Sequence, residues 1–236
     1  MNLKEQREII SAYIQNTEYA THAYFAGGCV RDWLQNFQQG SDIDICVELP
    51  EGGIGLAKLL QPKFPDSQIT LHPLYGTAKL KTANLNLEFV ATRKEQYQSG
   101  SRYPCISFGT LKDDVLRRDF TINALLQHIC TGKVFDLSGK GLADLHQGLI
   151  RCIGEPVTRF QEDPLRLLRA MRFALKLGFK VEPATRAAMQ SEGGAISRLT
   201  KAAISREVSK FKGIPIAEIS ALLDSLGWEK TNFLHL

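Results

Sequence analysis

Two aspartates stand two positions apart, Asp42 and Asp44, a short way downstream of the pair Gly27-Gly28. In an extended strand, side chains alternate, so both carboxylates leave the same face. Like charges that close repel unless a cation lies between them. Oxygen ligands of this kind suit Mg2+, which takes one or two carboxylates and shares a substrate's phosphates. Gly27 and Gly28 allow backbone N–H groups to converge on an anion, and the helix opened by Val30-Arg31-Asp32 favours phosphate at its start. Arg31 adds a charge-assisted contact to the same phosphates. Taken singly, the glycines fit a tight turn and the aspartates a solvated strand end. Taken together, they point to metal-dependent phosphate chemistry.

The elements that must position these groups read as a mixed α/β region followed by helices. Apolar spacing over residues 3–16 gives an amphipathic helix. Residues 23–26 form a short buried strand before the glycine turn, and residues 43–47 a second strand, ended by Pro50 and Gly52-Gly53. Residues 54–60 are helical. Alternation gives strands at 68–71, 76–81 and 85–90, with Glu88 pointing away from Leu87 and Phe89. Residues 92–104, polar and ending in proline, read as a loop. Residues 111–125 read as a helix carrying Asp119 and Asn123 on one face at i and i+4. Residues 162–173 form another, with Asp163 as N-cap and Pro164 at its first position. At about 100° per residue, Arg166, Arg169 and Arg172 share an arc of ~120°, and Leu167, Leu168, Met171, Ala174 and Leu175 occupy a separate one. A solvated basic face is the ordinary use of such a pattern. Further helices follow at 183–190, 201–212 and 217–227, the last stopped by Gly227.

Gly27-Gly-Cys-Val-Arg-Asp32 with Asp42-Ile-Asp44 resembles the head of the class II tRNA nucleotidyltransferase and bacterial poly(A) polymerase family, within the DNA polymerase beta-like superfamily. Arg117-Arg-Asp-Phe-Thr-Ile-Asn-Ala124 matches that family's second motif. Asp136, Gly141 and Asp144 match an element read as a hinge, and Glu162-Asp-Pro-Leu-Arg-Leu-Leu-Arg169 matches a third motif. The resemblance implies a nucleotidyltransferase head over residues 1–137 and an all-α neck over 138–236. It implies that Asp42 and Asp44, with Glu88 as a third carboxylate or else a plain surface residue, hold two Mg2+ ions. Gly28 and Arg31 grip phosphates, and Arg118, Asp119 and Asn123 lie at the sugar and triphosphate of the nucleotide. Asp163 and Arg166 read the edge of C or A, supported by Arg169 and Arg172. The implied reaction adds CMP and AMP from CTP and ATP to the 3′ end of tRNA. Poly(A) synthesis, CC-only or A-only addition, and a non-catalytic RNA- or nucleotide-binding module are the alternatives. In the family, residues 92–104 correspond to a flexible loop used in switching between nucleotides, and Arg93-Lys94-Glu95 is similar to enzymes able to add the terminal A.

Composition is compatible with this and excludes little else. Hydrophobic residues make up 44% of the 236, charged residues 23%, and the net charge is +4, mildly favourable to a polyanion. Five scattered cysteines form no C-x-x-C pair, which suggests reduced thiols and a cytoplasmic protein. There is no apolar run of membrane-spanning length and no signal segment, and no protein partner is inferable. The resemblance runs from Tyr24 to Gly227. Family members continue into body and tail domains that hold the tRNA elbow, so catalysis is expected on these residues and tight tRNA binding is expected to need more.

Overall fold

The computed structural model describes residues 3–37, 42–83, 85–97 and 102–228. Ser41 and the tip of the expected loop at 98–101 lie outside them. The chain divides into two compact units. The first comprises residues 1–96, 105–118 and 123–141; the second comprises 97–104, 119–122 and 142–236.

In the first unit the described strands are β1 (Ala23–Ala26), β2 (Asp42–Val47), β3 (Gln68–His72), β4 (Thr77–Lys81), β5 (Asn86–Ala91), β6 (Arg93–Gln96), β7 (Cys105–Phe108), β8 (Leu126–His128) and β9 (Val134–Phe135). The helices are α1 (Leu3–Ile14), α2 (Gly28–Leu34), α3 (Gly52–Leu60) and α4 (Leu111–Leu116). Seven of the strands form one mixed sheet in the order β3-β4-β5-β2-β1-β8-β9. β2 pairs antiparallel with β1 and parallel with β5. Alternation along β2 buries Ile43 and Ile45 and leaves Asp42 and Asp44 on the open face. Phe25, Ile43, Ile45, Leu56, Leu60, Leu80, Leu87 and Phe89 build the core, each burial contributing about 1.5–3 kcal/mol.

Two sequence expectations change here. Gly52 and Gly53 do not end a strand; they open α3, because only a residue without a side chain fits there. A Cβ on Gly53 would lie 2.8 Å from the Gly76 carbonyl oxygen and 2.9 Å from the Ala91 nitrogen, both backbone atoms that cannot swing aside. Gly53→Ala is therefore expected to destabilise the protein by about 1–3 kcal/mol, read as a lower midpoint in a urea melt. The Thr92–Pro104 stretch is not wholly a loop: Arg93-Lys94-Glu95 lies in β6, paired antiparallel with β7. Thr92 anchors the hairpin, its buried hydroxyl donating to the Gly109 carbonyl.

The second unit holds α5 (Gly141–Gln147, of which Gly141 belongs to the first unit), α6 (Pro156–Glu162), α7 (Leu165–Leu177), α8 (Pro183–Glu192), α9 (Lys201–Val208) and α10 (Ile216–Leu226). A short parallel pair joins β10 (Leu149–Ile150) to β11 (Lys180–Val181). α6 packs on α8 and α7 on α9 around Phe160, Leu167, Leu168, Met171 and Met189. Gly178 ends α7 in a left-handed conformation (φ 66°) that costs glycine little. No described helix is long and apolar enough to cross a membrane.

Candidate active site

Asp42 and Asp44 sit on the open face of β2. The Asn86 amide donates to Asp42 Oδ1 at 3.0 Å, and the register sets Asp44 directly beside Glu88. Burial pushes the Asp44 carboxyl up to about 6; Arg118 opposes this, and the neighbouring charges of Glu88 and Asp42 add to it. The residue keeps solvent contact despite its dense protein surroundings, so water screens part of the effect. Glu88 makes its own ion pair with Lys79 at 2.5 Å, both side chains more than two-fifths exposed. No group of three or more His, Cys, Asp or Glu arranged for a metal occurs among the described residues. Asp42 and Asp44 offer two carboxylates on one face, a set that would fit magnesium completing its shell with phosphates and water. A cation there would relieve the charge crowding that raises Asp44.

β1 leads into Gly27, which caps α2 in a positive-φ conformation (75°) reserved in practice for glycine. Its backbone passes so close to the reacting face that a Cβ would lie 3.1 Å from an Arg118 guanidinium nitrogen and 3.5 Å from Asp44 Oδ2. Gly28 follows, with Arg31 Nη2 3.6 Å from where its Cβ would stand. Arg31 is held on two sides: Nε donates to Asp32 at 2.8 Å and Nη1 to Asn123 Oδ1 at 2.6 Å. Arg118 Nη1 donates to the Asn123 carbonyl at 3.2 Å. Asn123 thus orients both arginines beside the glycine turn.

Asp114, which sequence reasoning passed over, underlies this arrangement. It is fully buried and accepts from Arg118 at 2.9 and 3.2 Å and from both Arg117 Nε and Nη2. Burial alone would raise its carboxyl, but the Arg118 and Arg117 charges outweigh it and hold it below the usual range. Its signal in the sequence was the spacing Asp114, Arg117, Arg118 at i, i+3 and i+4.

The expected helix over 111–125 is not continuous. α4 ends at Leu116, Phe120 forms a lone bridge to Cys152, and only residues 121–123 make a 3-10 turn. Asp119 and Asn123 therefore do not share a helix face. Asn123 belongs to the first unit, whereas residues 119–122 are stitched into the second by Thr121 N to Arg151 O (3.0 Å) and Ile153 N to Asp119 O (3.1 Å). Backbone pairing with residues 151–153 outcompetes helix continuation.

In the second unit Asp119 accepts from its own chain at Phe120 N and from Arg169 at 2.6 Å (Nε) and 2.5 Å (Nη2). Arg166 donates to the Arg159 carbonyl at 3.0 Å, to Glu162 at 3.1 Å and to the Tyr97 hydroxyl at 3.3 Å. Arg172 pairs with the buried Glu207 at 2.5 Å, which Lys210 also reaches, and lies 4.1 Å from the Phe173 ring centroid. The three arginines do share an arc, but it is not a solvated basic face: each has its own carboxylate. Asp163 is not the N-cap of α7. Pro164 holds that place, and Asp163 Oδ1 reaches past it to the Leu165 N–H at 3.2 Å and pairs with Arg102, also at 3.2 Å. Its Oδ2 has no partner among the described residues. Tyr97, Arg102 and Glu207 carried no signal in sequence that tied them to these partners. Of the expected hinge, Asp136 accepts from Ser138 and Gly139, and Asp144 is buried under Thr121 and Arg151, a structural use in both cases.

A polymerase beta-like nucleotidyltransferase head is the class this sheet and face define, and comparison with known proteins gives the family. Residues 23–151 match the poly A polymerase head domain. A CCA-adding enzyme of Limosilactobacillus fermentum is 38% identical over 195 residues, covering 82% of this chain and 46% of that enzyme. An A-adding tRNA nucleotidyltransferase of Aquifex aeolicus is 42% identical over 168 residues, 69% of this chain and 19% of that protein. A solved tRNA nucleotidyltransferase, in complex with a primer tRNA and an incoming ATP analog, superposes with a TM-score of 0.73 at 32% identity over 92% of this chain and 60% of its own. The chain belongs to the poly A polymerase head domain family. It spans less than half the length of these two curated relatives.

Proposed function

We propose that this chain is the catalytic part of a cytoplasmic, template-independent tRNA nucleotidyltransferase that adds CMP and AMP from CTP and ATP to the tRNA 3′ end. The head spans residues 1–137 and the neck 138–236. The observation that carries the reading is the Asp42–Asp44 pair on an open sheet face, with the Gly27 backbone beside both Asp44 and Arg118 and the Arg118 charge acting on Asp44. The named activities of the relatives, CCA and A addition to tRNA, support it.

Asp42 and Asp44 would hold Mg2+, with Glu88 beside them. Mg2+, when bound, supplies Lewis-acid charge and lowers the pKa of the RNA 3′-hydroxyl that attacks the nucleotide α-phosphate, pyrophosphate leaving. Gly28, Arg31 and Arg118 hold the triphosphate by backbone N–H and guanidinium donors, and Asn123 fixes the two arginines. Asp119 takes part in binding the sugar and at the same time anchors Arg169. Asp163 Oδ2 accepts from the exocyclic amine of C or A while Arg166 donates to a ring acceptor, with Arg169 and Arg172 fixing α7. On the Watson–Crick edge neither G, whose amine adjoins a ring N–H, nor U, which has no amine, offers that combination. Asp163→Ala is accordingly expected to lower the preference for CTP and ATP over GTP and UTP by about 1–3 kcal/mol, or roughly 5- to 150-fold. Single-nucleotide incorporation kinetics measure it.

A relative named poly(A) polymerase I, 34% identical over 168 residues, supports a second reading, poly(A) synthesis. Extension in Mg2+ of tRNA transcripts ending before CCA, after C and after CC separates the possibilities. Addition that stops at CCA supports the proposal, and a long A ladder moves it to poly(A) polymerase. Arrest at CC, or growth only from CC, identifies a partial enzyme. No extension of any RNA by the folded chain would overturn it as a self-sufficient enzyme.

A further inference from the structure

The open face of the sheet continues past the two aspartates, away from the glycine turn. Register places Asp44, Glu88, Lys79 and Thr70 in one row across β2, β5, β4 and β3, and Asp42, Asn86, Lys81 and Gln68 in the next. Ala78 and Leu80 are buried on the other side of β4, so Lys79 and Lys81 both stand on the carboxylate face. Both are exposed. Lys79 is held by Glu88, whereas Lys81 has no side-chain partner among the described residues. Strand spacing sets them two strands, about 10 Å, from the aspartates.

Arg118 and Gly27 lie on the opposite flank of β2, the β1 side. Nucleotidyl transfer displaces the leaving pyrophosphate in line with the attacking hydroxyl. With the triphosphate held on the β1 flank, the attacking RNA end must approach from the β5–β4 flank. That flank carries two lysines in a face otherwise crowded with carboxylates. We propose that Lys79 and Lys81 form the seat for the 3′-terminal phosphates of the RNA primer, Glu88 fixing Lys79 in place. This rests on the nucleotidyltransferase reading above and adds to it the direction and residues of primer entry.

The test measures primer affinity separately from chemistry. Fluorescence anisotropy with a labelled tRNA lacking CCA, at several KCl concentrations, gives Kd and its salt slope; extension kinetics give KM for RNA and for nucleotide. For Lys79→Ala/Lys81→Ala, two lost single-strand phosphate contacts are expected to lower the slope by about 1.4. KM for RNA is expected to rise roughly tenfold, with nucleotide KM within about twofold. The Lys79–Glu88 pair is surface-exposed, so its loss leaves the fold intact, and a melting curve checks this. Lys58→Ala/Lys112→Ala removes the same charge from α3 and α4. An equal fall in slope for that control overturns the proposal, because it reports only overall charge. An unchanged slope and RNA KM in the β4 variant also overturns it. A wild-type chain that extends no RNA, yet binds it with a slope that only the β4 variant lowers, keeps the seat as an RNA site and overturns the enzymatic reading instead.

Discussion

Asp44→Asn is expected to abolish nucleotide addition and, at the same time, to make the metal-free protein more resistant to heat at pH 7. The first effect follows from the proposed role: without the cation ligand, several kcal/mol of charge stabilisation go, a loss of at least about a thousandfold in rate. The second follows from the carboxyl's position, raised from 3.8 to about 6 chiefly by burial, with Glu88 and Asp42 adding to it against Arg118. A group with a raised folded-state pKa contributes stability below its unfolded value and loses it as pH climbs through the folded one. Metal-free wild type should therefore weaken between about pH 4 and pH 6 relative to the Asn variant. Added Mg2+ should raise the wild-type melting temperature and leave the variant's nearly unchanged. Paired thermal melts across this range, with and without Mg2+, measure both. A wild type with no such pH trend and no Mg2+ response would remove the physical basis for a cation at this face.

Asp114→Ala should have the largest effect on stability, although Asp114 touches no substrate in the proposed reaction. The wild-type carboxylate is fully buried between two guanidinium groups. Its removal leaves Arg118 buried without its main partner, while Arg117 keeps Glu95 at 3.4 Å. Breaking a buried pair from one side costs about 3–5 kcal/mol. In a chain of this size that is a melting temperature lower by roughly 6–20 °C. The lowered Asp114 pKa gives the opposite pH signature to Asp44. Its contribution is complete at neutral pH and disappears as pH falls below the ordinary carboxylate range, so wild type and variant should converge in acid. Nucleotide KM should rise as well, because Arg118 loses the carboxylate that aims it at the glycine turn. A change under about 1 kcal/mol would mean that the arginines find other partners readily.

These two residues also separate what could be read from what could not. The position of Asp44 was legible because it follows from a local rule: period-two alternation puts it on the open face with Asp42. Gly27, Arg31 and β1 were legible for the same reason, as were the apolar stripe of α7 and the glycine stop after α10. Such features depend on residues within a few positions of one another, where backbone geometry alone decides.

Tertiary structure decided the rest. It placed Arg93-Lys94-Glu95 in a hairpin, since pairing with Cys105–Phe108 spans a gap that no local pattern encodes. It gave Gly52 and Gly53 to a helix start, because the backbone at Gly76 and Ala91 leaves no room for a side chain. It broke the helix after Leu116, so that Asp119 answers Arg169 and Asn123 answers Arg31, fifty and ninety-two positions away. It turned an apparent basic face on α7 into three separate ion pairs. The sequence by itself determined which groups could do phosphate chemistry. Only the fold decided which partner each charge meets, because a buried charge must be neutralised by whatever the long-range packing brings to it.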